Sequence, residues 1–234
     1  HPSLLFRNNG AIIASYTLFV KKKRRMKIAF FPLMALFAYL ISGLNPAIIL
    51  SKMIYHQDIR ELGSKNPGFT NFKRAFGGRY AWIVFFLDIF KGAVVSVVAG
   101  LLARTYLGDW QLGVAYAGIF ALLGHAFPVE YGFKGGKGFL VCFSTVWFID
   151  WRAGLIAFGV LALLLLSTKY MSLSTMLSLA AGAVSIALFG AGLPACLLYT
   201  AGVLLVVARH HENIRRLVKG TESRFFFGGK KKEN

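Results

Sequence analysis

The sequence predicts an all-α integral membrane protein with about seven transmembrane helices, its N-terminus outside the cell and its C-terminus in the cytoplasm. Two observations support this fold class. Hydrophobic residues make up 56% of the 234 residues and charged residues only 15%, and the mean hydropathy is +0.60, outside the range of ordinary soluble domains. The basic residues also collect between apolar runs, as in the short cytoplasmic loops of membrane proteins.

Seven apolar runs are the candidate membrane helices. A transmembrane helix needs roughly 20 mostly apolar residues, because about 30 Å of hydrocarbon is crossed at about 1.5 Å per residue. In chain order the runs cover residues 28–50, 81–102, 112–129, 139–149, 153–167, 171–193 and 195–208. Run 139–149 is short, so it would need membrane thinning, tilt or partial insertion to span.

The charge of the connecting segments predicts the orientation. If the first run crosses from outside to inside, the outer loops contain only two basic residues, Arg104 and Arg152. The loops on the inner side and the C-terminal tail are rich in Lys and Arg. The formal net charge of +18 could also indicate nucleic-acid binding. The basic residues form no single stripe among aromatics, however, so no nucleic acid is expected as a partner.

The N-terminal segment breaks this charge rule, because residues 21–27 are strongly basic and precede the first run. Residues 1–25 are therefore predicted to be a non-native or disordered extension, since Met26 followed by Lys27 and then the apolar run is typical of a start of translation. The alternative is that residues 11–20 form a further, short membrane segment. Residues 26–222 are predicted to be one membrane-embedded domain, and residues 223–234 a basic tail.

The two cysteines indicate no special chemistry. Cys142 and Cys196 are far apart and both lie in apolar runs, so they predict neither a disulfide framework nor a zinc site. No metal and no cofactor is expected.

The first of four polar segments covers residues 63–74. Its density of Gly, Pro, Ser and Asn predicts a turn-rich loop whose backbone N–H groups can face an anion. The loop contains Ser64, Asn66, Thr70 and Asn71, and Arg74 at its end has a planar fork suited to phosphate. The alternative is a solvated connector.

The second polar segment, FKGGKG at residues 133–138, is also a candidate phosphate site. Gly135, Gly136 and Gly138 would let backbone amides approach a phosphate closely, and Lys137 would add a positive charge. The spacing is not that of a Walker A loop, so nucleotide hydrolysis is not indicated. A flexible turn at the membrane edge is the alternative.

Two further polar segments cover residues 169–172, which include Ser172, and residues 209–216. His210 and Asn213 would share one face of a helix, although a basic helix that binds anionic lipid has the same composition. Asp88 and Lys91 are spaced to pair across one helical turn inside the second run, and we interpret that pair as structural. A transporter would place polar groups near mid-membrane, often in two related halves, and the sequence contains no internal repeat.

Together these segments resemble three motifs of the bacterial acyl-phosphate:glycerol-3-phosphate acyltransferase family. That family's first motif, GSGNPGATN followed by Arg, is similar to GSKNPGFTN at residues 63–71, with Arg74 three residues on. The second is similar to GHAFP at residues 124–128 followed by FKGGKG, and the third to residues 210–213 and 215–222. The resemblance covers residues 36–221, and three motifs in the same order make it specific.

The resemblance implies roles for individual residues. Ser64, Arg74, His210 and Asn213 match positions that bind glycerol 3-phosphate and align its hydroxyl, while Asn66, Thr70, Lys137 and Ser172 match positions around the acyl phosphate. The expected catalytic residues are thus Ser64, His210 and Asn213. The expected substrate-binding residues are Asn66, Thr70, Asn71, Arg74, Gly135, Gly136, Lys137, Gly138 and Ser172. Lys65 and Phe69 depart from the motif's Gly and Ala, and Leu44-Asn45 stands where the family has Ser-Ile.

The resemblance also implies the reaction. An acyl group would pass from acyl phosphate to glycerol 3-phosphate, giving 1-acyl-glycerol 3-phosphate and inorganic phosphate, the first step of phospholipid synthesis. The enzyme would lie in the bacterial cytoplasmic (inner) membrane with its site at the cytoplasmic face, in contact with membrane lipid and functionally linked to the enzyme that makes acyl phosphate. A small transporter and an inactive relative are the alternatives. An acyltransferase with an H-x-x-x-x-D motif is disfavoured, because His125 is followed by Glu130.

Overall fold

A computed structural model describes residues 3–226, and the side chains in that range apart from those of residues 3–14, 19 and 22–24. These residues form ten α-helices, two short 3-10 turns and no strand. The helices are α1 (Ser3–Gly43), α2 (Pro46–Tyr55), α3 (Phe69–Phe76), α4 (Gly78–Tyr106), α5 (Trp110–Ala126), α6 (Phe139–Ile149), α7 (Trp151–Thr168), α8 (Met171–Leu188), α9 (Leu193–Arg209) and α10 (His211–Val218). The predicted all-α fold is confirmed.

Five segments of the described chain are long and apolar enough to cross a membrane. They are Arg25–Tyr55, Gly78–Tyr106, Trp110–Tyr131, Trp151–Thr168 and Met171–Leu188. Helices α9 and α10, bent by 59° at His210, make a sixth if the pair is one span. The count of about seven, with the orientation, stays a prediction, because its seventh member is α6 with only 11 residues.

Helix boundaries depart from the apolar runs where the sequence contains capping residues. Run 28–50 is divided at Asn45, whose side-chain oxygen accepts from the backbone N–H of Ile48 and caps α2, with Pro46 at its first position. Run 171–193 ends as a helix at Leu188, before Gly190 with its positive φ. Apolar composition alone does not show such breaks.

Helix α1 begins at Ser3 and continues without a break to Gly43. The segment predicted as an extension is therefore helical over residues 3–25, and whether it is native stays a prediction. At the other end, residues 223–226 of the predicted basic tail fold back on the bundle, where Phe225 is buried and its N–H donates to Lys169 O at 2.7 Å. Residues 1–2 and 227–234 lie outside the described range.

The short helix α6 lies inside the bundle. It packs against α4, α5, α7, α8 and α9, and its residues Val141–Val146 are all buried or nearly so. Glycines bring the neighbouring helices close, since a Cβ on Gly118 would lie 2.5 Å from Thr145 Cγ2 of α6. Helices α4 and α7 flank a gap beside the first turn of α6.

Chain reversals bring the four polar segments to the same end of the bundle. Helix α4 begins there, α5 ends there, α6 begins there, α7 ends and α8 begins there, and α9 ends there. Contacts agree with this arrangement. Arg209 Nη2 of the fourth segment donates to Gly135 O of the second at 3.0 Å, and Ser172 Oγ of the third donates at 2.7 Å to Glu222 Oε1, which lies just beyond the fourth. The candidate site lies at this polar end.

Candidate active site

A cavity of about 400 Å³ lies at the polar end and continues along the gap between α4 and α7. One wall is polar. All four predicted segments contribute to it, with Ser64, Asn66, Thr70, Asn71, Arg74, Lys137, Ser172, His210, Asn213 and Arg216, and Glu222 from beyond the fourth segment completes it. The other wall is apolar and includes Phe69, Trp82, Phe85, Phe158, Leu161, Leu165, Leu166 and Phe225. Phe158 and Leu166 are 52% and 70% exposed, so the apolar part opens on the outer surface of the bundle.

The first polar loop is held by Asn71. Its amide nitrogen donates to Leu62 O at 2.9 Å and Ile59 O at 3.3 Å, and its oxygen accepts from Ser64 N at 3.0 Å. Gly63 has a φ of +54°, and a Cβ there would lie 2.5 Å from Asn71 Oδ1. The buried amide therefore fixes the loop backbone on which Ser64 and Asn66 stand.

Arg74 follows this loop on α3 and faces the cavity. Within residues 3–226 its guanidinium makes no hydrogen bond or ion pair, so the fork is available to an anion. Burial lowers the pKa of Arg74 from its usual value, while the Glu222 carboxylate raises it. A guanidinium stays charged through such a shift.

The glycine loop is held from two sides. Gly135 N donates to Ala126 O and Gly136 N to His125 O, while Arg209 Nη2 donates to the carbonyls of Gly135 and Gly136 at 3.0 and 3.2 Å. A Cβ on Gly136 would lie 2.2 Å from His125 Nε2, so the loop rests directly on that ring. Gly138 has a φ of +83°, which favours glycine, and it starts α6.

Lys137 reaches from this loop across the cavity to Asn213 of α10, whose side-chain oxygen accepts a hydrogen bond from its ammonium group. Burial, followed by the nearby charge of Arg216, lowers the pKa of Lys137 to about 8. The amine is therefore charged at neutral pH, but it sits in surroundings that favour a bound anion.

Glu222 organises the part of the polar wall that Ser172 and α10 form. Its carboxylate accepts from Asn213 Nδ2 at 2.6 Å, Ser172 Oγ at 2.7 Å and Arg216 Nε at 2.7 Å. Burial raises the pKa of Glu222, but the three hydrogen bonds outweigh burial and hold that pKa below its usual range. An ionised acid thus orients two predicted site residues and one arginine.

His210 lies at the bend between α9 and α10 and is buried. Its Nδ1 is 2.8 Å from Val206 O, and because a carbonyl only accepts, Nδ1 carries the proton in this contact. In the neutral ring Nε2 is then an acceptor. The bend itself places His210 and Asn213 at the cavity wall together.

Ten of the twelve predicted site residues line this one cavity. They are Ser64, Asn66, Thr70, Asn71, Arg74, Lys137, Gly138, Ser172, His210 and Asn213. Gly135 and Gly136 do not line it, because their backbone is packed between His125 and Arg209. Their direct contact with substrate stays a prediction.

Sequence reasoning missed several lining residues. Glu222 and Arg216 stood in the third motif, and an acid between basic residues was the available signal. Asp88 and His125 also line the cavity, and Asp88 forms the predicted ion pair with Lys91 at 2.9 Å. The apolar wall could not be identified among so many apolar residues. Among the described residues, no group of three His, Cys, Asp or Glu is placed to hold a metal.

This fold and cavity define an integral membrane protein with a cavity at one end of a helical bundle, one wall of which is polar and rich in basic groups and the other apolar. A family profile described as "Glycerol-3-phosphate acyltransferase" matches residues 32–220. Relatives of that name from Syntrophotalea carbinolica and Aquifex aeolicus are 38% and 36% identical, over 83% and 82% of this chain and 97% of each relative. The chain belongs to the glycerol-3-phosphate acyltransferase family.

Solved structures agree with this assignment. The fold is similar to crystal structures of PlsY, an integral membrane glycerol 3-phosphate acyltransferase, in its glycerol 3-phosphate form (TM-score 0.76, 31% identity) and its lysophosphatidic acid form (TM-score 0.73, 30% identity). Each match covers 83% of this chain and 94% of the solved chain. The protein is thus an acyltransferase of the PlsY type.

Proposed function

We propose that the protein transfers an acyl group from acyl phosphate to glycerol 3-phosphate, forming 1-acyl-glycerol 3-phosphate and inorganic phosphate. The observation that carries the proposal is a single cavity with basic and hydroxyl groups at one end and an apolar gap toward lipid at the other. Such a cavity lets a soluble phosphate and a lipid-borne acyl chain meet.

The apolar gap fits the acyl chain of the donor. Phe158, Leu161 and Leu165 of α7 and Trp82 of α4 line it, and a chain lying there would leave water without leaving the bilayer. Its phosphate would then lie beside Lys137, Asn66, Thr70 and Ser172. Lys137 supplies the charge that this end of the donor requires.

We assign four residues of the polar wall to the acceptor side: Arg74, Ser64, His210 and Asn213. Arg74 suits the phosphate of glycerol 3-phosphate because its fork is unoccupied within the described chain. The glycerol 3-phosphate and lysophosphatidic acid forms of the solved relative support this substrate and this product.

The reaction requires positioning more than a covalent enzyme intermediate. Acyl phosphate is a mixed anhydride, so the acceptor hydroxyl oxygen attacks the carbonyl carbon, and the bond from that carbon to the phosphate oxygen breaks. The phosphate leaves with the electron pair and accepts the hydroxyl proton, while Ser64, Asn213 and His210 orient the hydroxyl. Arg74 and Lys137 offset the repulsion between the two phosphates.

The proposed location is the bacterial inner membrane, with the polar end in the cytoplasm. The five apolar spans and the basic loops at one end support this orientation. We further propose residues 26–222 as the functional domain. Donor supply would come from a membrane-associated reaction that makes acyl phosphate.

The donor can be tested with detergent-purified protein and isotope-labelled glycerol 3-phosphate. Palmitoyl phosphate should give labelled lysophosphatidic acid, and palmitoyl-CoA should give none. Product from palmitoyl-CoA alone would refute the donor assignment. No product from either donor would favour an inactive relative, in which Lys65 at a φ of +57° and bulky Phe69 have altered the first loop.

A further inference from the structure

Lys91 occupies an unusual position inside the bundle. It is 7% exposed, and its ammonium nitrogen lies 2.9 Å from Ser42 O, 3.1 Å from Leu44 O and 3.0 Å from His125 Nδ1. Asp88 Oδ1, at 2.9 Å, compensates its charge. The three N–H groups of the ammonium therefore face four acceptor atoms, and these contacts join the α1–α2 junction to the end of α5. An ion pair within α4 alone would need only the contact with Asp88.

One branch of these contacts reaches the glycine loop. An ammonium has no acceptor, so His125 Nδ1 accepts from Lys91 and the ring proton is on Nε2. The ring held in this way supports Gly136, whose missing Cβ leaves room for Nε2, and the His125 carbonyl accepts from Gly136 N. Lys91 thus fixes the position of His125, which supports the loop that carries Lys137.

A second branch reaches the first loop. Lys91 holds Leu44 O, and the next residue, Asn45, is fully buried and donates its Nδ2 to Pro67 O at 3.1 Å. Pro67 directly follows Asn66, and Thr70 is in the first turn of the helix that begins after it. Both branches therefore end at residues placed on the donor side of the cavity.

We propose that Lys91 is a positioning residue for the acyl-phosphate subsite, setting the distance between Lys137 on one loop and Asn66 and Thr70 on the other. This inference rests on the proposed function. Lys91 acts through His125 and Asn45 and does not itself touch the substrate. In the described part of the chain, Arg74, His210 and Asn213 make no hydrogen bond to Lys91, His125 or Asn45, so we expect the linkage to act mainly on the donor side.

The test is steady-state kinetics of the double variant Asp88→Asn/Lys91→Met, which removes the linkage without leaving a lone buried charge. The KM for acyl phosphate should rise roughly three- to thirtyfold, as for couplings through packed networks, with little change in the KM for glycerol 3-phosphate. Arg152→Met is the control, since it breaks the Asp150 pair at the far end of the bundle and should move neither KM.

The variant His125→Leu keeps the Asp88–Lys91 pair and decides the matter if the double variant does not fold. It should also raise the KM for acyl phosphate selectively. The inference is overturned if both KM values rise together, or if only kcat falls in proportion to the folded fraction. Absence of turnover in the unchanged protein would instead refute the proposed function, and the inference with it.

Discussion

Lys137 is the residue whose electrostatics give the most direct prediction. Its lowered pKa of about 8 means that the ammonium form is present at neutral pH and is lost as the pH rises through that value. Only the charged form attracts a phosphate. A bound phosphate would in turn raise this pKa, so the effect belongs to the free enzyme.

We therefore expect kcat/KM for acyl phosphate to fall as the pH rises through about 8. Lys137→Arg keeps its charge, so its alkaline limb should move to higher pH even if its maximal rate is lower. Initial rates at low acyl phosphate, from about pH 6 to about pH 10, measure both limbs. An unchanged midpoint in Lys137→Arg would assign the limb to another group.

Glu222 gives a second prediction at this scale. Glu222→Gln replaces one acceptor oxygen by a donor group and weakens the hold on Ser172, Asn213 and Arg216, at a cost of about 2 kcal/mol, or roughly thirtyfold in kcat/KM. The matched control is Glu212→Gln, since Glu212 is 61% exposed and lies 3.9 Å from the same Arg216. Equal losses in the two variants would contradict the role given to Glu222.

Among the elements, the glycine loop depends on close packing more than on flexibility. Gly136 has no positive φ, so its glycine is explained by the His125 ring that a Cβ would meet at 2.2 Å. The ring is buried and held by Lys91, which limits its ability to move aside.

Gly136→Ala should therefore displace the loop, cost about 1–3 kcal/mol as other overpacked substitutions do, and raise the KM for acyl phosphate. Gly159→Ala is the control, because a Cβ on that helical glycine meets nothing within 4 Å. Thermal unfolding and KM measured on both variants test the prediction. It is wrong if Gly136→Ala behaves like Gly159→Ala.

Sequence reasoning identified the polar segments that the structure brings together, while their roles stay predictions, and it was less informative about the helices. The polar segments contain residues with few structural alternatives, such as Arg74 and Lys137, and the structure brings them to one cavity. The break at Asn45-Pro46 was not predicted, because it lies within the apolar run 28–50. A capping residue before a proline was the signal that marks it. The enclosure of α6 could not be predicted, because apolar residues suit both lipid and a protein interior.

For the whole molecule, the apolar gap between α4 and α7 is the feature that relates the fold to a lipid substrate. On α7, the residues that line the gap share one face of the helix, and residues on the other face are exposed. Leu161 lines the cavity, whereas Leu163 does not and is 69% exposed. These two leucines, of identical chemistry, distinguish the gap from the surrounding membrane surface.

We expect Leu161→Trp to narrow the gap and lower kcat/KM for palmitoyl phosphate about tenfold, with a smaller effect on an acyl phosphate of short chain. Leu163→Trp should leave both values nearly unchanged. The ratio of the two donors' kcat/KM in each variant is the measurement. The same ratio in both variants would place the acyl chain elsewhere.

The central claim is that one cavity brings both substrates together for direct transfer. Release of inorganic phosphate by the purified protein, given palmitoyl phosphate with and without glycerol 3-phosphate, tests that claim most directly. We expect release only when both substrates are present, and none from Lys137→Ala. Release independent of glycerol 3-phosphate, in protein shown to be folded, would contradict the account.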